Sequence, residues 1–393
     1  MAEPVAITGL GLVSGLGLGV AANWPAMLAG RIAIGEFGLF PTARHRTRLA
    51  AQVPDDPRLA PAPHQSRADA FALTAAAEAF VQSGLGSLHD AGVFFGTSTA
   101  GMWETERYYA HLGTRSSRRR QRALAAQQNN APGDAVARHF GVHGPVASVS
   151  SACVSGAQAL AAAREAILAG ECDVTLAGGA DGLCELTYAG FNALRAVDPR
   201  PSSPFRTLRQ GLSLGEGAGV LVLESAAHAQ ARGAEVLGWF CGAGSTCDAH
   251  HMSAPEPAGE GARRAILQAL HDAGSGPDEV DFVNAHGTGT PLNDAAEAHA
   301  LAAALSGRRV PLTSTKSLVG HLLGAAGALE AVVSVLCLRT GLVHPTAGEG
   351  PVEPGVDLVV GAPRKLARAR TALSTNLAFG GANSALLFRS TGP

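Results

Sequence analysis

Cys153 lies in Ser151-Ala152-Cys153, where a short apolar stretch, Val146 to Ser150, gives way to a small-residue helical pattern from about Cys153 to Gly170. Unpaired backbone N–H groups and the macrodipole at a helix N-terminus favour a thiolate, so this position predicts a thiol pKa below the usual value of about 8.5. Spacing alone leaves a second reading open, an inert buried cysteine, which is the reading for Cys172, Cys184, Cys241, Cys247 and Cys337. A histidine closes the apolar strand Phe282-Val283-Asn284-Ala285-His286 and opens the loop Gly287-Thr288-Gly289-Thr290. The C-terminal end of a strand faces the crevice where α/β folds bind ligands. Its glycines let a substrate approach the backbone and its threonines offer hydroxyls, although a plain turn histidine fits this segment equally well. A second histidine, His321, stands at an expected helix start, five residues after Lys316, one of only two lysines among 30 basic residues. Glu330, nine residues further on, interrupts an apolar helical pattern, where a charge is costly unless paired.

The elements that must position these groups alternate along the chain. Strand patterns at Val5–Thr8, Val93–Phe95, Asp173–Leu176 and Val220–Leu223 frame helical patterns at Ala68–Ser83, ending at Gly84, and at Cys153–Gly170. A polar joint, Glu224–Gly233, separates this part from a second with the same rhythm. There the pattern predicts strands near 236–240, 280–284, 310–314, 356–360, 371–374 and 384–388, with helices at 261–273, 294–305 and 320–338. This alternation implies α/β layers. Cys153 and His321 each precede a glycine by three positions, Gly156 and Gly324, at the start of an alanine-rich helix. That parallel suggests a duplicated half whose helix starts meet at one site.

Composition narrows the function classes. With 393 residues, 46% hydrophobic and 16% charged, the chain can bury a large core, and a net charge of −2 gives no global case for nucleic acid. Forty-nine glycines lie inside patterned segments rather than in low-complexity tracts. The N-terminal Met1-Ala2-Glu3-Pro4 has no basic region, and no apolar run is expected to reach the roughly 18 residues of a membrane span. The six cysteines lack metal-ligand spacing and are read as reduced thiols. A soluble cytoplasmic protein without bound metal is the resulting expectation.

Taken together, these segments resemble the elongating β-ketoacyl-acyl carrier protein synthases over essentially the whole chain. Ser151-Ala152-Cys153 resembles that family's nucleophile signature. His286 to Thr290 with Asp294 and Glu297 resembles its first histidine motif, and Lys316 through His321 to Gly327 its second. Gly215-Glu216-Gly217-Ala218-Gly219, Asp248 to Met252 and Phe379-Gly380-Gly381-Ala382-Asn383 match further segments in the same order. The resemblance implies a thiolase-like fold of two duplicated halves in α-β-α-β-α layers, residues 1–232 carrying the nucleophile and residues 233–393 both histidines. It implies decarboxylative Claisen condensation of a Cys153-bound acyl chain with a malonyl thioester. His286 and His321 would stabilise the developing enolate, and Lys316 with Glu330 would organise that site. The backbone N–H groups of Cys153 and Phe379 would form the oxyanion hole, with the Phe379 ring as a gate. Thr288 and Thr290 would hold phosphopantetheine, which arrives on acyl carrier protein, so no bound cofactor is implied. The family also implies a homodimer, or a heterodimer with a chain-length-factor-like subunit.

Some positions depart from the family. Arg206 and Gln210 replace aspartates, Leu377-Ala378 stands where Phe-Gly is frequent, and Ala382 replaces threonine. These differences weaken a reading as the housekeeping fatty-acid enzyme and leave both fatty-acid and specialised polyketide or polyene elongation open. Arg115, Arg118, Arg119, Arg120 and Arg122 cluster without an acid among them. A solvated face or a nucleic-acid patch is the bland reading, and a docking surface for an acidic carrier the functional one. A thiolase would need a second cysteine in the loop 378–383, which has none, and an initiating synthase would lack the Lys316/His321 motif. The rival from another class is a non-catalytic chain-length partner, which typically lacks the nucleophile.

Overall fold

The computed structural model describes residues 3–62, 64–114 and 121–392, apart from the side chain of Ala123. Val5–Ser14 is a ten-residue strand with every residue buried. It has cover on both faces, which is why it reads as a continuous apolar run rather than an alternation. On one face the helix Arg67–Ser83 lies so close that a Cβ on Gly11 would stand 1.8 Å from the Ala75 carbonyl oxygen. That helix starts with a Ser66/Asp69 capping box and stops at Gly84, whose φ of 68° suits glycine.

Two halves share one strand plan. In the first, Val5–Ser14 pairs antiparallel with Gly217–Glu224, and that strand antiparallel with Val174–Asp181. Two parallel strands follow, Gly92–Gly96 and Val146–Val149. In the second, Gly238–Cys247, Ala382–Arg389, Thr371–Leu377, Phe282–Asn284 and Pro311–Thr313 repeat the same order and the same polarities. The halves join where Val5, Ala6 and Ile7 pair with Phe240, Trp239 and Gly238. The helix Ser155–Leu168 and the helix Ala326–Thr340 pack on each other between the half-sheets, with Arg67–Ser83 outside one and Glu260–Asp272 outside the other. These are the α-β-α-β-α layers.

The central crossing is built from small residues. A Cβ on Gly156 would lie 3.0 Å from Ala328 Cβ, and one on Gly327 would lie 2.8 Å from Ala157 Cβ. The two contacts are reciprocal, with an offset of 171 positions between the helices. The same offset relates Ala152, with φ 46°, to Leu323, with φ 50°, and Cys153 to Gly324. Here the structure corrects the sequence reading: the counterpart of Cys153 is Gly324, not His321.

Three further expectations change. The helix expected over 320–338 starts only at Ala326: a single turn, Lys316–Val319, ends before Gly320, and a 3₁₀ turn, Leu323–Ala325, leads into the helix Ala326–Thr340. Gly320, at φ 73° and ψ −178°, ends the first turn, and His321 then bridges to Leu214 in strand-like fashion. His321 therefore does not start a long helix. The polar joint 224–233 contains a short helix, Ala226–Ala231, capped by Ser225. Finally, Leu323–Thr340 is long and apolar enough on average to cross a membrane, contrary to expectation, but 89% of it is buried inside the protein. A core helix surrounded by sheet has the same composition as a span.

Candidate active site

The strand Val146–Val149 delivers the chain to a tight turn before the helix that starts at Ser155. Ala152 takes a left-handed conformation there, and its carbonyl accepts hydrogen bonds from the Ser155 hydroxyl at 2.6 Å and the Ser98 hydroxyl at 2.9 Å. A left-handed alanine costs about 1–2 kcal/mol, so these bonds hold a strained turn that aims Cys153 inward. Only 7% of Cys153 is exposed. Burial pushes its thiol up to about 11; the Lys316 charge and the backbone N–H groups of Phe379 and Cys153 pull it down, and the Asp181 charge adds to the rise. The expected depressed thiol is therefore absent. The helix begins two residues after Cys153, and loss of water outweighs the dipole.

His286 follows the strand Phe282–Asn284. Its backbone is fixed by the Glu297 carboxylate, which accepts the N–H groups of His286 and Gly287 at 2.8 Å each and the Thr375 hydroxyl at 2.6 Å. Burial pushes the Glu297 carboxyl up to about 7. Asp294 holds the same loop from the other end, accepting from Gly289 and from Phe205. Lys316 and Glu330 are both buried and paired at 2.5 Å, and Asn376 donates to the other Glu330 oxygen at 2.6 Å. The apolar helix thus carries its one charge toward a partner.

The two imidazoles lie 5.2 Å apart, nearly perpendicular. Burial first, then the Lys316 charge, holds both pKa values well below the usual histidine range, so both rings are neutral. Lys316 Nζ stands 3.1 Å from His286 Nδ1, and the Leu323 N–H donates to His321 Nδ1 at 3.2 Å. A neutral imidazole accepts at one nitrogen and donates at the other. With Nδ1 accepting in each ring, Nε2 carries the proton in both.

Cys153, His286 and His321 line one cleft of about 320 Å³, together with Thr288, Thr290 and Phe379. That is within the size range of small-ligand sites. The threonine hydroxyls are 3.0 Å apart, and Thr290 also caps the helix Pro291–Ala304, a structural task the sequence reading did not assign. The Phe379 ring is 38% exposed, rests 5.6 Å from the Phe191 ring and precedes two left-handed glycines, Gly380 and Gly381. Arg115, Arg118, Arg119 and Arg120 lie outside the described residues; Arg122 is exposed and does not line the cleft. Sequence reasoning missed Asp181, Ser98, Asn376 and Phe191. Asp181 did leave a signal, a lone carboxylate closing the apolar strand that precedes the cleft.

Residues 2–229 match the N-terminal domain of the beta-ketoacyl synthases and residues 237–349 their C-terminal domain. The chain belongs to the beta-ketoacyl synthase family. It is 37% identical to "Putative polyketide beta-ketoacyl synthase 1" of Streptomyces halstedii, with 100% of this chain and 99% of that one aligned. It is 33% identical to "3-oxoacyl-[acyl-carrier-protein] synthase 2" of Vibrio cholerae, with 98% of each covered. Among solved structures, the ishigamide ketosynthase/chain length factor superposes with a TM-score of 0.92 over 100% of both chains at 30% identity. The fold is thiolase-like.

Proposed function

We propose that this protein is a β-ketoacyl-acyl carrier protein synthase that condenses a Cys153-bound acyl chain with a malonyl thioester carried on acyl carrier protein. The observation that carries this reading is the pair of neutral histidines, both with Nδ1 occupied, facing one buried cysteine across a single cleft. In the first step the Cys153 sulfur attacks the acyl thioester, and its proton leaves with the departing pantetheine thiol. In the second, the malonyl C–C bond breaks and carbon dioxide departs. The electron pair becomes an enolate whose oxygen receives Nε2–H from His286 and His321. The enolate carbon then attacks the Cys153 thioester carbonyl, the N–H groups of Cys153 and Phe379 hold the oxyanion, and the sulfur leaves as a thiolate that takes a proton from water to restore the resting thiol. Neutral donors suit this chemistry, because an imidazolium would pass its proton to the enolate oxygen and leave an enol, a weaker carbon nucleophile than the enolate.

Thr288 and Thr290 would hold the pantetheine arm, a role supported by their place in the lining of the cleft. The cleft mouth is rimmed by exposed Leu194 and Leu292, with Arg195 beside them and Arg46 bonded to the Arg195 carbonyl. An apolar rim next to guanidinium groups suits a small acidic carrier; the acid-free run of Arg115, Arg118, Arg119, Arg120 and Arg122 in the sequence would add positive charge for the same partner. The strand Val146–Val149 ends the sheet with a free, exposed edge beside Cys153, which suits pairing with a second thiolase-like subunit, a second copy of this chain or a chain-length-factor-like partner. The nucleophile makes this chain the catalytic subunit in either assembly.

The test loads purified enzyme with labelled acyl thioester, adds malonyl carrier, and follows label and carbon dioxide together. Label must appear on Cys153 and pass to a β-ketoacyl product as carbon dioxide is released. Label on another cysteine, or product without carbon dioxide, rules the reading out.

A further inference from the structure

The carboxylate of Asp181 closes the buried strand Val174–Asp181 and is itself inaccessible to solvent. Among the described residues no lysine or arginine forms an ion pair with it. Its partners are hydroxyl and backbone donors: Thr97 Oγ1 at 2.6 Å, Ser98 N at 2.9 Å, Thr99 N at 2.8 Å and Oγ1 at 2.9 Å, Ala100 N at 3.2 Å, and Gly324 N at 2.7 Å. All but the last belong to one loop in the first half. Gly324 belongs to the second.

Each side of this hub leads to a reacting group. On the first side, the Ser98 whose N–H is held by Asp181 passes its hydroxyl to the Ala152 carbonyl, at the left-handed residue before Cys153. On the second side, Gly324 directly follows Leu323, whose N–H donates to His321 Nδ1. Leu323 holds a φ of 50°, which its bulky side chain does not favour. The Asp181 bond to the next residue pins that conformation. We infer that Asp181 is a positioning residue for the condensation, tying the turn that carries Cys153 in one half to the turn that orients His321 in the other. This rests on the proposed roles of Cys153 and His321. Asparagine cannot replace it, because an amide nitrogen would face N–H donors where the carboxylate offers oxygens.

The inference makes two readouts diverge. Asp181→Asn loses the tie, so kcat for condensation should fall roughly 100-fold, the scale expected when reacting groups are displaced by about 1 Å, while KM for malonyl carrier stays within about threefold. The same variant loses a negative charge near the sulfur, so the pH profile of Cys153 alkylation by iodoacetamide should move to lower pH. That shift reports the Asp181 charge at the sulfur, and the fall in kcat without a matching change in KM reports the tie itself. The alkylation arm needs no acyl substrate, so it stays readable even if wild-type enzyme shows no condensation and the functional proposal fails. A folded Asp181→Asn enzyme with wild-type kcat and an unmoved profile overturns the inference. If that variant does not fold, Ser98→Ala severs one arm alone and should slow acyl loading of Cys153 roughly tenfold while sparing carbon dioxide release from enzyme already acylated. Loading at the wild-type rate in Ser98→Ala would then overturn it.

Discussion

Lys316 Nζ stands 3.1 Å from His286 Nδ1 and 2.5 Å from a Glu330 oxygen, so one buried ammonium group serves both a carboxylate and an imidazole. An ammonium group has donors and no acceptor. Its contact therefore forbids a proton on His286 Nδ1 and leaves the ring a donor at Nε2. The only other lysine of the chain, Lys365, is exposed.

If the histidines act as enolate donors and not as bases for the cysteine, the half-reactions separate. His286→Ala and His321→Ala enzymes should still accept an acyl group from a thioester. Each should lose about 100-fold or more in condensation, the usual cost of one such donor. Stalled acyl-enzyme that releases little carbon dioxide, seen by intact mass and gas capture, is the expected result. Mutants that cannot be acylated yet decarboxylate normally would reverse the assignment.

Lys316→Ala leaves Glu330 as a buried charge without its cation. A loss of about 3–5 kcal/mol is the usual scale for breaking such a pair, and denaturant unfolding of the variant is the check. The same change removes a charge that lowers the Cys153 pKa, so alkylation at fixed pH should slow. Faster alkylation in the variant would show that Lys316 does not act on the sulfur.

A thiol near 11 is protonated in the resting enzyme at neutral pH. Only its thiolate reacts, so the alkylation rate of Cys153 should rise about tenfold per pH unit from 7 to 10, without a plateau. A plateau reached below pH 8 would reveal a thiolate already formed. Cys153→Ala should leave the melting curve nearly unchanged and abolish acyl loading, since one small atom is removed and the other cysteines lie outside the cleft.

Phe379 is more than a third exposed, so Phe379→Ala should change stability by less than about 1 kcal/mol. Its ring leans on Phe191 at the cleft. Competition between acyl carriers of different length should therefore shift, with the selectivity ratio as the readout. A destabilised enzyme with unchanged selectivity would move the ring from gate to core.

Much of this was legible in the chain. Cys153, His286, Lys316 and Glu330 stand out because strand ends, a rare lysine and a charge in an apolar helix are local features, and the structure brings all four together with His321. The break around His321 was not legible. Gly320 and Gly324 sit in a run of small apolar residues that reads as continuous helix, and only the bridge to Leu214, more than 100 positions away, converts that run into a turn. The state of Cys153 was misread for a related reason. A helix dipole can be inferred from neighbours in sequence, but desolvation by the second half cannot. Asp181 escaped notice because its partners, backbone N–H groups and two threonine hydroxyls, gather around it only in the fold.

The correspondence between Cys153 and Gly324 gives the frame two sockets and a single working one. In the first, a sulfur sits under the backbone N–H groups of Cys153 and Phe379; in the second, the protein has plugged the space with its own carboxylate. A Cβ on Gly324 would stand 2.7 Å from Ser98 N and 2.8 Å from Asp181 Oδ2. A side chain at Gly324 therefore cannot restore the symmetry unless Ser98 and Asp181 move. Duplication supplied the scaffold twice, and the filled socket commits one copy to holding the other in place.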